Sequence, residues 1–153
     1  MMVKRLLIVY YTGAGNTGEM AEAIARGAEQ REISVEVKGV EECELRDLAE
    51  ADGIVVGSPT YFSNMTWQVK KMVDESIVLY RKRQLNDKVG GCFTSAGTER
   101  DGKVCIETLE RAFGLHHGLK MVPGVVRVRG EEKEKAYKIC YQYGAEIARQ
   151  LLS

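Results

Sequence analysis

Near its start the sequence runs Val3-Lys4-Arg5-Leu6-Leu7-Ile8-Val9-Tyr10-Tyr11-Thr12-Gly13-Ala14-Gly15-Asn16-Thr17-Gly18-Glu19-Met20. Val3–Tyr11 is dominated by aliphatic and aromatic residues and has the length of a strand buried on both faces. Glycines and hydroxyl residues follow, and then Met20, Ile24 and Ala28 recur at helical spacing. A strand that turns through such a loop straight into a helix is the first unit of an alternating α/β chain. Met1–Tyr11 has the basic start of a leader segment, but neither a long apolar run nor a small-residue cleavage site follows it. A strand is therefore the expected reading.

The same alternation continues outward. Ile33–Val37, Gly53–Gly57, Val89–Thr94 and Met121–Val128 read as further strands. Between them, Met65, Val69 and Met72/Val73 form one helical stripe, and Ile106, Leu109 and Phe113 form another. Glu44–Ala51 reads as a short helix. Ala136, Ile139/Cys140, Tyr143, Ile147 and Leu151 mark the last one. Five strands alternating with about five helices predict a three-layer, doubly wound, five-stranded parallel sheet. No repeat or linker interrupts the pattern, so 1–153 is expected to form a single domain.

Composition narrows the function. The 153 residues carry 22 Lys+Arg and 22 Asp+Glu, a formal net charge of zero, which gives no bulk electrostatic basis for binding nucleic acid. A chain of this length buries roughly 68–70% of its unfolded surface and needs no staples. Cys43, Cys92, Cys105 and Cys140 contain no closely spaced pair, and the only histidines are His116 and His117. Reduced thiols in a cytoplasmic protein, with neither a metal site nor a disulfide framework, are the expectation. No run reaches the roughly 18 apolar residues of a membrane span.

In doubly wound sheets ligands bind beyond the carboxyl ends of the strands, where the strand order reverses. This singles out Thr12–Thr17, Ser58–Asn64 and Ser95–Asp101. In the first loop, backbone amides at a helix start form an anion cradle, and Thr12, Asn16 and Thr17 add side-chain donors. Gly13-x-Gly15-x-x-Gly18 also fits a dinucleotide fingerprint, with Glu36 near the end of the second strand. A hydroxyl-rich loop suits a terminal phosphomonoester better. In the second loop Pro59 stiffens the strand exit, and Tyr61 and Phe62 offer flat surface to a planar ring. Small residues in the third loop permit close approach, with Thr98 or Asp101 available to cap the next helix. His116-His117-Gly118 ends the fourth helix, where a glycine cap is expected.

These loops together resemble a known family. Thr12–Thr17 with Met20-Ala21 resembles the phosphate loop of short-chain flavodoxins. Gly57–Met65, Phe93–Thr98 and His116-His117-Gly118 are similar to the WrbA-like NAD(P)H:quinone oxidoreductases. The resemblance covers nearly the whole chain. It implies a flavodoxin-like FMN-binding domain with sheet order 2-1-3-4-5. Thr12, Gly13, Ala14, Gly15, Asn16 and Thr17 would then hold the phosphate, and Pro59, Thr60, Tyr61 and Phe62 would line the isoalloxazine. Ser95, Ala96, Gly97 and Thr98 would border the pyrimidine side, and His117 would lie near the exposed face of the ring. His117 and Tyr61 are the implied catalytic contacts. The sequence departs from these relatives at Ala14, at Tyr61 and at Glu99-Arg100-Asp101, and it lacks their insertion before the last helix.

The implied activity is FMN-dependent two-electron reduction of a quinone-like acceptor by NAD(P)H. The alternative is an FMN electron carrier between redox proteins, which usually wears an acidic face that the balanced charge does not supply. The acceptor is thus expected to be a small molecule or a redox protein. A phospho-acceptor receiver domain would need acidic residues where Tyr11-Thr12 and Ser58-Pro59 stand. Tyr137, Tyr141 and Tyr143 on the last helix are candidates for a homo-oligomer contact.

Overall fold

The computed structural model describes residues 3–153. Met1 and Met2, the start of the opening stretch, lie outside the described residues. Strands β1 (Arg5–Tyr10), β2 (Ser34–Gly39), β3 (Gly53–Pro59), β4 (Val89–Ala96) and β5 (Lys120–Met121) form a parallel sheet in the order 2-1-3-4-5. Strand β6 (Val125–Val128) also pairs with β4. The helices are α1 (Asn16–Ala28), α2 (Leu45–Glu50), α3 (Trp67–Glu75), α4 (Ile77–Arg81), α5 (Glu99–Glu110) and α6 (Lys133–Leu152). The expected doubly wound architecture is what the chain adopts.

Period-two alternation along each strand makes the three layers. In β1, Leu6 and Ile8 pack beneath α1 and α6, while Leu7 and Val9 join the core under α2, α3 and α5. In β4, Phe93 faces the first core and Cys92 the second. Burying each large aliphatic or aromatic side chain contributes roughly 1.5–3 kcal/mol. A one-residue slip would exchange every one of these faces, so the register is fixed from both sides.

Two segments differ from the sequence reading. The helix expected from the Met65–Val73 stripe begins at Trp67, after Met65, and stops at Ser76, whose hydroxyl donates to the Val73 carbonyl at 2.6 Å. The run Met121–Val128 is not one strand. Its pairing with β4 jumps from Lys120 opposite Val89 and Met121 opposite Gly90 to Val125 opposite Phe93, which inserts one extra residue. Pro123 has no N–H to give the ladder, and the Gly124 amide turns away to donate to Glu110 Oε2 at 3.2 Å. Tyr143 closes the gap. Its hydroxyl accepts from the Cys92 N–H at 3.0 Å and donates to the Val122 carbonyl at 2.9 Å. Tyr143 is therefore buried against the sheet (7% exposed) and does not present the surface expected of an interface residue. Tyr137 does remain half exposed.

The strand order reverses between β1 and β3, and their carboxyl ends open beside that of β4. The rim they form is where the ligand-suited loops converge.

Candidate functional site

The first loop is built by Thr12. Its Oγ1 accepts from the amides of Gly15 (3.1 Å) and Gly18 (3.2 Å), which curls the backbone around the threonine. Gly15 starts the helix at φ 104°, in the left-handed region that favours glycine. The first amide of α1 bonded back to a preceding carbonyl is Glu19, to Gly15 at 3.0 Å. The amides of Gly13, Ala14, Asn16 and Thr17 are taken neither by Thr12 nor by a preceding carbonyl among the described residues. These four residues line one cleft of about 390 Å³ at the rim. Unpaired amides at a helix start, opening into a cavity, form an anion cradle. At Gly13 a Cβ would lie 2.6 Å from the Tyr61 hydroxyl oxygen, so the glycine lets that ring lie against the loop.

The second loop is a strained tight turn. Tyr61 and Asn64 exchange both backbone hydrogen bonds at 3.0 Å, forcing Phe62 (φ 52°) and Ser63 (φ 63°) into the left-handed region. Each such non-glycine residue costs of order 1 kcal/mol or more. The turn is held by Asn64 Oδ1, which accepts from the Met65 amide at 2.8 Å, and by the Ser63 hydroxyl, which donates to Asp101 Oδ1 at 2.9 Å. The result leaves Tyr61 half exposed and Phe62 wholly exposed at the tip. At the base, Thr94 Oγ1 donates to the Ser58 carbonyl at 2.6 Å, so the Thr60 hydroxyl donates to Thr94, also at 2.6 Å. The Thr60 amide donates to the Ser95 carbonyl at 2.8 Å.

In the third loop Ser95 Oγ lies 2.8 Å from Thr17 Oγ1, tying the strand end to the anion loop. Thr98 caps α5, accepting from the Asp101 amide at 3.2 Å. Nothing stands within 4 Å of the place a Gly97 Cβ would occupy, so that side of the cleft is open.

Most of the expected contacts thus meet in one place. Gly13, Ala14, Asn16, Thr17, Pro59, Thr60, Tyr61, Ser95, Ala96 and Gly97 line the cleft. Thr12 and Gly15 shape the loop from behind. Phe62 and Thr98 stand beside the lining, at the turn tip and the α5 start.

His117 is the exception. It follows the π-helical end of α5, Arg111–His116, and directly precedes β5, at the amino-terminal rim opposite the cleft. Ser76 Oγ spends its proton on Val73, so His117 Nε2 donates to Ser76 at 2.8 Å and Nδ1 is left buried without a partner. Phe113 stacks on the ring with centroids 5.7 Å apart. Burial first, and His116 second, hold the imidazole below its ordinary pKa. Within this chain His117 packs against Phe113 and Ser76, away from the loops that line the cleft. Gly118 does take the expected left-handed cap, at φ 80°.

None of the four cysteines lines the cleft. Cys92, Cys105 and Cys140 are buried, and burial pushes the thiols of Cys43 and Cys140 up to about 12.

A fourth wall escapes the sequence reading. Arg127, Val128, Arg129, Gly130 and Glu131, at the carboxyl end of β6 and the turn into α6, complete the cleft. The Arg129 amide donates to the Ala96 carbonyl at 2.9 Å, and Glu131 Oε2 accepts from the Val128 amide at 3.2 Å. Two arginines separated by one residue at the end of the last strand were the available signal.

Comparison with known proteins bears on the fold and the family. A family model described as NADPH-dependent FMN reductase matches residues 44–133. An NAD(P)H dehydrogenase (quinone) from Syntrophus aciditrophicus is 29% identical over 166 aligned residues, covering 92% of this chain and 82% of that protein. One from Cupriavidus metallidurans is 32% identical, covering 78% of this chain and 70% of that one. Among solved structures, a WrbA-like flavodoxin from Agrobacterium tumefaciens superposes with TM-score 0.86 at 28% identity, covering 97% of this chain and 98% of its own. An archaeal flavodoxin superposes with TM-score 0.85 at 28% identity, over 97% and 99% of the two chains.

Proposed function

The chain belongs to the NADPH-dependent FMN reductase family and is an FMN-dependent NAD(P)H oxidoreductase, and we propose that its two-electron acceptor is a quinone-like molecule. The observation that carries this reading is the rim cleft. Four unpaired amides, at Gly13, Ala14, Asn16 and Thr17, line its anion end, and Tyr61 and the glycine-opened third loop border the rest. A cradle for a phosphomonoester next to flat, open surface for a planar ring suits FMN in both chemistry and order along the chain. FMN, when bound, supplies two-electron redox chemistry between a nicotinamide and an acceptor.

The residues present divide the remaining work. The loop that Thr12 curls into shape binds the phosphate, and that preorganisation lowers the ordering cost of binding. Pro59, Thr60 and Tyr61 orient the ring from one side, and Ser95, Ala96 and Gly97 from the other. The exposed Phe62 and the half-exposed Tyr61 leave a planar acceptor or nicotinamide an apolar surface to stack on. Residues 3–153 act as one FMN-binding unit in this reading.

An electron carrier is the competing reading, favoured by the overlap with an archaeal flavodoxin over 97% of this chain and 99% of that one. Anaerobic titration of the FMN-loaded protein separates the two. The flavin absorbance is expected to bleach with NADH or NADPH and to return on adding a benzoquinone. Bleaching by dithionite alone, with no response to either nucleotide, would leave the carrier and end the quinone proposal.

A further inference from the structure

We propose that Arg127 supplies the cationic contact to the phosphomonoester of the bound flavin, and that Glu19 competes with the phosphate for it. This assignment rests on the FMN reading above.

The donors that the first loop offers, its amides and its hydroxyls, are all neutral. Thr12 Oγ1 serves two loop amides, and Thr17 Oγ1 is paired with Ser95. Without a further contact, neutral donors alone would meet a phosphate that carries close to two negative charges at neutral pH. Arg127 reaches the loop from the far edge of the sheet. It projects from β6 with only 10% of its side chain exposed, and its Nη1 lies 3.5 Å from the Asn16 carbonyl oxygen and 3.0 Å from Glu19 Oε1. Both contacts use the same nitrogen. The Nε and Nη2 donors have no protein partner among the described residues, and neither is a sealed, orphaned atom. A guanidinium with three N–H groups to spare, lining the same cleft as the four unpaired amides, is suited to a tetrahedral dianion.

Glu19 makes the arrangement a competition. Its carboxylate sits in the first turn of α1, half exposed (52%), next to the anion cradle. With no phosphate bound it neutralises Arg127 and offsets the cost of holding a largely buried cation. With phosphate bound it is a nearby like charge that draws the guanidinium back. Arg129 lines the same cleft from two residues further on, but none of its side-chain atoms is tied to the loop. Arg127 is therefore the residue placed for the phosphate.

The test is flavin binding, read by quenching of flavin fluorescence for FMN and for riboflavin, which lacks the phosphate. Wild type, Arg127→Gln, Glu19→Gln and the double variant are compared at about 0.05 M and about 0.5 M salt. Arg127→Gln is expected to weaken FMN roughly 10- to 100-fold and leave riboflavin unchanged, with a shallower salt dependence. Glu19→Gln is expected to tighten FMN about threefold or more in the wild-type background and to lose that gain in the Arg127→Gln background. Where riboflavin binding is too weak to read, the Glu19→Gln arm decides. Wild-type affinity in Arg127→Gln, equal loss of both ligands, or weaker FMN binding in Glu19→Gln would overturn the assignment. A wild-type protein that takes up neither flavin would instead overturn the FMN reading.

Discussion

Tyr143→Phe is expected to destabilise the protein by about 2–3 kcal/mol, although it removes a single oxygen. The hydroxyl fills the break between β5 and β6, where it accepts from the Cys92 amide and donates to the Val122 carbonyl. Phenylalanine keeps the ring and its packing but strands a buried donor on β4 and leaves a partly buried acceptor on the edge strand. Each unsatisfied buried group costs about 1–3 kcal/mol. The consequence reaches the site. Strand β6 places Arg127 and Val128 in the cleft wall, and a loosened break lets that wall shift. Urea denaturation checks it: the midpoint is expected to fall with an unchanged slope. A loss below about 0.5 kcal/mol, the scale of an ordinary surface change, would mean that the hydroxyl does not hold the break.

The second large effect is expected at the crossing of α1 and α6. A Cβ on Gly144 would lie 1.9 Å from the Ile24 carbonyl oxygen and 3.0 Å from the Ala28 amide nitrogen. Reciprocally, one on Gly27 would lie 1.9 Å from the Tyr141 carbonyl oxygen. These neighbours are backbone, so no rotamer change relieves the overlap and the helices must part. Helix propensity alone would reward Gly144→Ala by about 1 kcal/mol. Overpacking of a close-packed contact costs about 1–3 kcal/mol and occasionally more, and here it acts on two backbones at once. The clash is expected to win, with a net loss of about 2 kcal/mol and a Tm lowered by roughly 4–8 °C. An unchanged or raised Tm would show that the two helices have room to spare.

The fold was legible because its signals are local. Val3–Tyr11 followed by a glycine-rich turn and the Met20–Ala28 stripe dictates one strand–loop–helix unit, and the period-two burial of Leu6 to Val9 leaves no other register. Right-handed crossovers narrow the strand orders, and the order 2-1-3-4-5 that the sheet adopts was legible only through the resemblance to flavodoxins. The break after Met121 was not legible. It depends on Tyr143, distant in sequence, reaching back to β4, and an apolar run with one proline reads as continuous. The same distance explains the site. Loops directly following β1, β3 and β4 announce themselves by glycine, proline and hydroxyl content, so ten of their residues meet in the cleft as expected. Arg127 stands in an ordinary-looking strand end, and only the sheet topology brings it beside Asn16 and Glu19. His117 shows the converse. The His-His-Gly motif is plain in sequence, but its ring is sealed between Phe113 and Ser76 at the other rim.

What joins these observations is a single claim, that the rim cleft holds FMN with its phosphate on the first loop. The most direct measurement follows the backbone amide resonances of the ¹⁵N-labelled protein during titration with FMN. Saturable shifts are expected at Gly13, Ala14, Asn16 and Thr17, together with Thr60, Tyr61 and Ser95–Gly97. Absence of saturable shifts, or shifts confined to residues away from these loops, would contradict it.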